Sequence, residues 1–168
     1  LHPVTITPAH AEMARCYDFS LGISLSAYPL VATALALLRL VAGRRQVVQE
    51  EFGALLQQPY WSAGLHEADQ RAWFDALMRA ALPRILSLDS IERFAEKAMK
   101  RGLGISRLAT DLHALIAVSG RQPARQLPSA WAVAFRAILE AAGWPGERTL
   151  SSHEFQSRLT FGDTLMNL

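Results

Sequence analysis

Between Leu30 and Ala42 only Thr33 and Arg39 are not apolar. Pro29 stands just before this run and Gly43 just after it, a first-turn residue and a left-handed stop, and Ser26 is placed to cap. A helix from Ser26 or Tyr28 to Ala42 is expected, and its apolar part rises about 20 Å. Apolar atoms then come round almost every side, so the helix has to be covered on more than one face. At the surface of a bundle of 168 residues this is awkward. The expectation is that further domains of a longer protein supply the cover. The chain opens at Leu1 and stops at Met166-Asn167-Leu168, inside what reads as a continuing helix, which agrees with a fragment.

The rest of the composition points to helices. Residues of the hydrophobic set make up 51% of the chain, much of it alanine and leucine, which favour helix over strand. A single cysteine, Cys16, excludes a disulfide framework and an all-cysteine zinc site, and reads as an intracellular chain. The net charge is only +2, so a case for nucleic acid or membrane must rest on local clustering. No basic-then-apolar leader opens the chain, and its apolar runs fall short of the roughly 20 residues a bilayer needs.

Along the chain, Pro3, Pro8 and Gly22 with β-leaning pieces at Val4 to Thr7 and Tyr17 to Leu21 suggest an extended lead-in over residues 1–25. Helices follow over about Val47 to Gln57, His66 to Leu82, Ser87 to Arg101, Ile105 to Val118, Pro128 to Ala142, and from Ser151 onward. Ser87 and Ser151 read as caps, the latter with Glu154 in a capping box. Gly102 and Gly143 read as stops. The fold class expected is all-α: an irregular bundle of about seven helices spanning residues 26–168, with slight strand content.

Residue spacing supplies no catalytic pattern. No glycine-rich phosphate loop followed by Lys and Ser or Thr occurs; Arg101-Gly102-Leu103-Gly104 is better explained as a helix stop. The five histidines never fall four apart, so no helix offers paired imidazoles to zinc. Asp111 and His113 point apart on a helix, and Asp69 with Asp75, or Glu92 with Glu96, are ordinary solvated carboxylates. No catalytic, cofactor-binding or metal-ligating residue is assigned. The four tryptophans, Trp61, Trp73, Trp131 and Trp144, read for the most part as core, with Trp61 beside Tyr60 open to an interface reading.

One local charge feature remains. Arg93, Lys97, Lys100 and Arg101 recur at i, i+4, i+7 and i+8, and Arg107 follows beyond the glycine turn. Both lysines of the chain belong to this group. One helical face of cations can hold phosphates with little sequence preference. Glu92 and Glu96 are interleaved and can pair within the helix, so a solvated face is the favoured reading of the row and a nucleic-acid surface the alternative. Arg121 and Arg125 form a weaker candidate.

The stretch Asp18-Phe19-Ser20-Leu21-Gly22-Ile23-Ser24-Leu25-Ser26, then Tyr28-Pro29-Leu30-Val31 and the helix ending Leu37-Leu38-Arg39-Leu40-Val41, resembles a segment in the second motor domain of superfamily 1 DNA helicases. Phe52 to Tyr60, Trp131 to Phe135, and Gly143 to Arg148 with Ser151 to Gln156 are similar to bacterial helicase-nuclease subunits of the AddB or RecB-like type, including chains called probable DNA repair proteins. The resemblance covers about Phe19 to the C-terminus. It implies a helical accessory subdomain inserted in the second motor domain, with residues 1–25 joining that domain. It further implies a bacterial, cytoplasmic chain without a membrane, and partners that are the parent's remaining domains, duplex DNA or a helicase-nuclease partner subunit. ATP and magnesium would belong to the parent, whose catalytic motifs lie outside these residues. The alternative is a helical protein-interaction module without DNA binding.

Overall fold

The computed structural model describes residues 23–43 and 46–167. The lead-in strands, Cys16 and the first part of the helicase-like stretch lie outside the described residues. A short 3-10 turn, Leu25–Ala27, leads to α1, Pro29–Ala42. Pro29 occupies the first turn as its fixed backbone angle suits, but Tyr28, not Ser26, stands at the cap and makes no side-chain bond there. Gly43 closes the helix with φ −92°, so the left-handed stop expected of it is not used.

α1 is the axis of the molecule. It packs against α2 (Gln49–Leu56), α5 (Ser106–Gly120), α6 (Pro128–Ala141) and α7 (Ser152–Met166). Leu30, Val31, Ala34 and Leu37 are each at most 1% exposed. Of its two non-apolar residues, Thr33 is buried with its hydroxyl donating to the Pro29 carbonyl at 2.8 Å. Arg39 lies on the narrow exposed strip with Ala32 and Ala42. Cover on more than one face, expected from the apolar run, comes on most sides from four helices of the same chain, with Leu38 and Val41 left half-buried beside an open groove.

α3 (Ala68–Ala81) and α4 (Leu88–Lys100) complete seven α-helices among the described residues, as expected of an all-α bundle. Gly53 lets α2 approach α3: a Cβ there would meet Arg79 Nη2 at 2.8 Å. Two strands of two residues each, β1 (Val47–Val48) and β2 (Ile85–Leu86), pair antiparallel, with Val47 opposite Leu86 and Val48 opposite Ile85. They fasten the starts of α2 and α4 to each other. Gln49 then donates its side-chain amide to the Met78 carbonyl at 2.8 Å, tying α2 to the end of α3.

The segment between α2 and α3 is buried rather than looped out. Trp61 is wholly enclosed and meets Phe52 edge-on at 5.8 Å between ring centres; Tyr60 is buried as well. The interface reading of this aromatic pair is therefore set aside in favour of core. Across the molecule, the Trp144 indole N–H donates to the Leu30 carbonyl at 3.0 Å, and its ring packs edge-on against Phe161.

α7 is held at its start by the capping box anticipated from Ser151 and Glu154. Glu154 Oε2 accepts the Ser151 N–H at 2.7 Å, while Oε1 accepts the Tyr60 hydroxyl at 2.5 Å and faces the Arg148 guanidinium. The Tyr60 hydroxyl first, and then the Ser151 amide, hold the Glu154 carboxyl down to about 2 from its ordinary 4.5. A depressed carboxylate stabilises the fold above its ordinary pKa, and that contribution disappears as pH falls from there toward the folded value. Glu154→Gln is expected to cost about 1 kcal/mol at neutral pH, after allowance for solvent screening. Urea unfolding should find this deficit vanishing between pH 4.5 and about 2. A deficit that stays constant over that window would place the effect elsewhere.

Candidate nucleic-acid interface

α4 starts where Ser87 Oγ accepts the Ser90 N–H at 3.2 Å. Leu88, Ile91, Ala95 and Ala98 form its buried face, and Phe94 leans on Phe74 with ring centres 5.7 Å apart. The helix ends because Gly102 takes φ +94°, which few other residues tolerate. The chain then folds back and the Leu103 N–H reaches the Ala98 carbonyl at 3.1 Å. With 3.6 residues per turn, Arg93, Lys97, Lys100 and Arg101 fall on the side opposite the buried face, and all four are exposed.

The pairing of Glu92 and Glu96 within the helix, expected from their interleaving, is not what the described residues show. Glu92 does not neutralise the row; its carboxylate meets His113 Nδ1 on α5 at 2.6 Å. Arg93 donates to Ser90 Oγ at 3.2 Å. Lys97, Lys100 and Arg101 form no ion pair among the described residues, and none joins Glu96 to a cation. Among the described residues the row thus presents three charges outside any ion pair and a fourth, Arg93, held by a neutral hydroxyl.

Arg107 belongs to another constellation. Its Nε lies 3.4 Å from Asp111 Oδ2 and 3.9 Å from Glu147 Oε1. Asp111 also accepts the buried Ser62 hydroxyl. Arg107 is thereby occupied in tying α5 to the Glu147 turn, and the four residues of α4 and its end make up the free cationic surface of the group.

A residue that sequence reasoning assigned to the core joins this surface. Trp73 on α3 is 61% exposed, whereas Trp61 is buried and Trp131 and Trp144 are half-buried. It stands at a groove of about 970 Å³ between α3 and α4, whose lining includes Leu77, Phe94, Lys97, Arg101 and Leu103. One end of this region is pinned by Gln70, whose Oε1 accepts the Gly104 N–H at 3.2 Å. Among the described residues no three His, Cys, Asp or Glu side chains converge as metal ligands. Asp111 and His113 part as the helix spacing requires, one buried and one exposed. No described helix is long and apolar enough to cross a membrane. Comparison with protein-family models, with curated proteins and with solved structures finds no match to this chain.

Proposed function

We infer that this chain is a noncatalytic helical accessory module of a DNA helicase or helicase-nuclease acting in recombination and repair, and that it touches nucleic acid through the outer face of α4. The observation that carries the DNA-contact part of this reading is the row Arg93, Lys97, Lys100 and Arg101, exposed on one helical face with three of its charges outside any ion pair among the described residues. Long basic side chains free of carboxylates keep their whole electrostatic attraction for a phosphate backbone, and the release of condensed counterions then drives binding. The attribution to a helicase-type parent rests on the likeness of the Phe19 to Val41, Phe52 to Tyr60 and Gly143 to Gln156 segments described above. ATP and magnesium chemistry falls to the parent's motor domains in this reading, and Arg107 acts as a strut rather than a phosphate contact.

The test is an anisotropy titration of labelled DNA at low salt, comparing the wild type with the fourfold variant Arg93→Ala, Lys97→Ala, Lys100→Ala, Arg101→Ala. Affinity should fall at least about tenfold, and the slope of log affinity against log salt should flatten by about 2–3. Equal binding by the two proteins would show that the surface is wrongly chosen.

A second reading has its own observation. An apolar groove of about 500 Å³ opens beside the stacked rings of Trp131 and Phe135, bordered by Leu38, Val41, Pro123 and Pro128. Leu127 nearby in sequence is 73% exposed. Such a surface suits a protein partner. Concentration-dependent sedimentation in a protein without DNA affinity is the result that favours an interaction module over a DNA contact.

A further inference from the structure

We propose that the groove between α3 and α4 receives an unstacked base of a single nucleic-acid strand on the indole of Trp73, while Lys97 and Arg101 hold phosphates on either side of it. The proposal rests on the phosphate-binding reading of α4 and adds to it the form of nucleic acid and the groups that recognise it.

Three observations converge. First, an indole left 61% exposed beside an apolar hollow is a large unfilled stacking surface, and every base has a π face to offer it. Second, the hollow is walled on one side by α4, where Lys97 and Arg101 line the same groove as Trp73. Their i, i+4 spacing sets them about 6 Å apart along the helix axis, a separation suited to consecutive phosphates of one strand. Third, neither cation is neutralised by a carboxylate among the described residues.

Shape selects the single strand. A duplex keeps its bases stacked inside and offers a convex backbone, which can lie along α4 but cannot fill a hollow of about 970 Å³. A strand whose bases are free can turn one into it. Charge favours a nucleic acid over an acidic peptide. The cations continue outside the groove through Arg93 and Lys100, over about 12 Å of α4. A backbone charged along its whole length engages all four, whereas an acidic segment seated in the groove leaves those two without partners.

The experiment compares an oligothymidylate of about twelve nucleotides with a duplex hairpin of similar charge, at about 50 mM salt. Trp73→Ala, an exposed change whose folding is checked by circular dichroism, should weaken the oligothymidylate about tenfold and leave the hairpin within about twofold. Tryptophan fluorescence of the wild type should be quenched by the oligothymidylate. Trp73→Phe should remove most of that quenching while keeping much of the affinity. The proposal is overturned if Trp73→Ala binds the oligothymidylate like the wild type, if it weakens both ligands equally, or if polyglutamate of matched charge displaces the oligonucleotide as well as more oligonucleotide does. Should the fourfold alanine variant lose binding in any of these cases, phosphate contact by α4 survives and only the stacking site fails. A wild type that binds neither ligand removes both readings.

Discussion

Replacing Arg71 by methionine should lower the unfolding free energy by about 3–5 kcal/mol, more than most single substitutions in a chain of this kind. Arg71 is fully enclosed. Its Nη1 donates to the Trp61 carbonyl at 2.9 Å, and its Nε and Nη2 donate to Glu67 Oε2 at 3.3 and 3.2 Å. The guanidinium also lies 5.6 Å from the centre of the Trp61 ring. Burial pushes the guanidinium below its ordinary pKa, against the pull of Glu67. Glu67 in turn accepts the Arg107 N–H at 2.8 Å and the Leu108 N–H at 3.1 Å, amides of the first turn of α5 that have no partner within their own helix. One ion pair therefore joins α3, the buried Trp61 segment and the start of α5. Methionine fills part of the space but leaves a buried carboxylate without its counter-charge and a carbonyl without its donor. Urea unfolding measures the loss, and the double change Glu67→Gln with Arg71→Met should cost clearly less than the sum of the single changes. Additive costs, or a loss for Arg71→Met below about 1 kcal/mol, would mean the pair is not the fastener described.

The same residue explains where sequence reading stops. Helix ends were legible because their signals are local: Pro29 and Pro128 in first turns, Ser87 and Ser151 as caps, Gly102 and Gly143 with positive φ at stops. The turn of α3 about its own axis was not. Its apolar residues Trp73, Phe74, Leu77 and Met78 suggest one inward stripe, yet the buried set is Arg71, Phe74, Asp75 and Met78. Two charged residues take inner positions with partners one helical turn away, Arg71 with Glu67 and Asp75 with Arg79 at 2.8 Å, and Arg71 reaches the Trp61 carbonyl as well. That rotation turns Trp73 outward and creates the groove with α4. The off-phase spacing of Trp73 from Arg71 and Asp75 was visible in the sequence, but reading it required knowing that two charges are buried. The strands β1 and β2 were missed for a related reason. Two residues carry no period, and their pairing joins Val47 to Leu86 across the whole of α2 and α3. For the surface, the cationic periodicity of α4 was legible, but the diversion of Glu92 to His113 and of Arg107 to Asp111 and Glu147 depends on α5 and the turn before α7.

Leu37→Ala should cost about 3–4 kcal/mol in this chain alone, while Arg39→Ala two residues on should stay within about 0.5 kcal/mol. Leu37 has no exposed surface, and its helix is enclosed by α2, α5, α6 and α7; truncation removes buried methyl groups and leaves a cavity that four packed helices close only in part. Arg39 sits on the narrow open strip and has no such neighbours to lose. The contrast measures whether α1 is completed by its own chain. If the rod needed outside neighbours, its surroundings would yield and Leu37→Ala would cost little more than Arg39→Ala. A large difference moves the search for outside contacts from the most apolar helix to the most cationic one. α1 commits most of its apolar surface to the core, with Leu38 and Val41 left at the groove beside Trp131. α4, with only one face committed to that core, keeps three charges that form no ion pair among the described residues, and a neighbouring open indole, available to a partner.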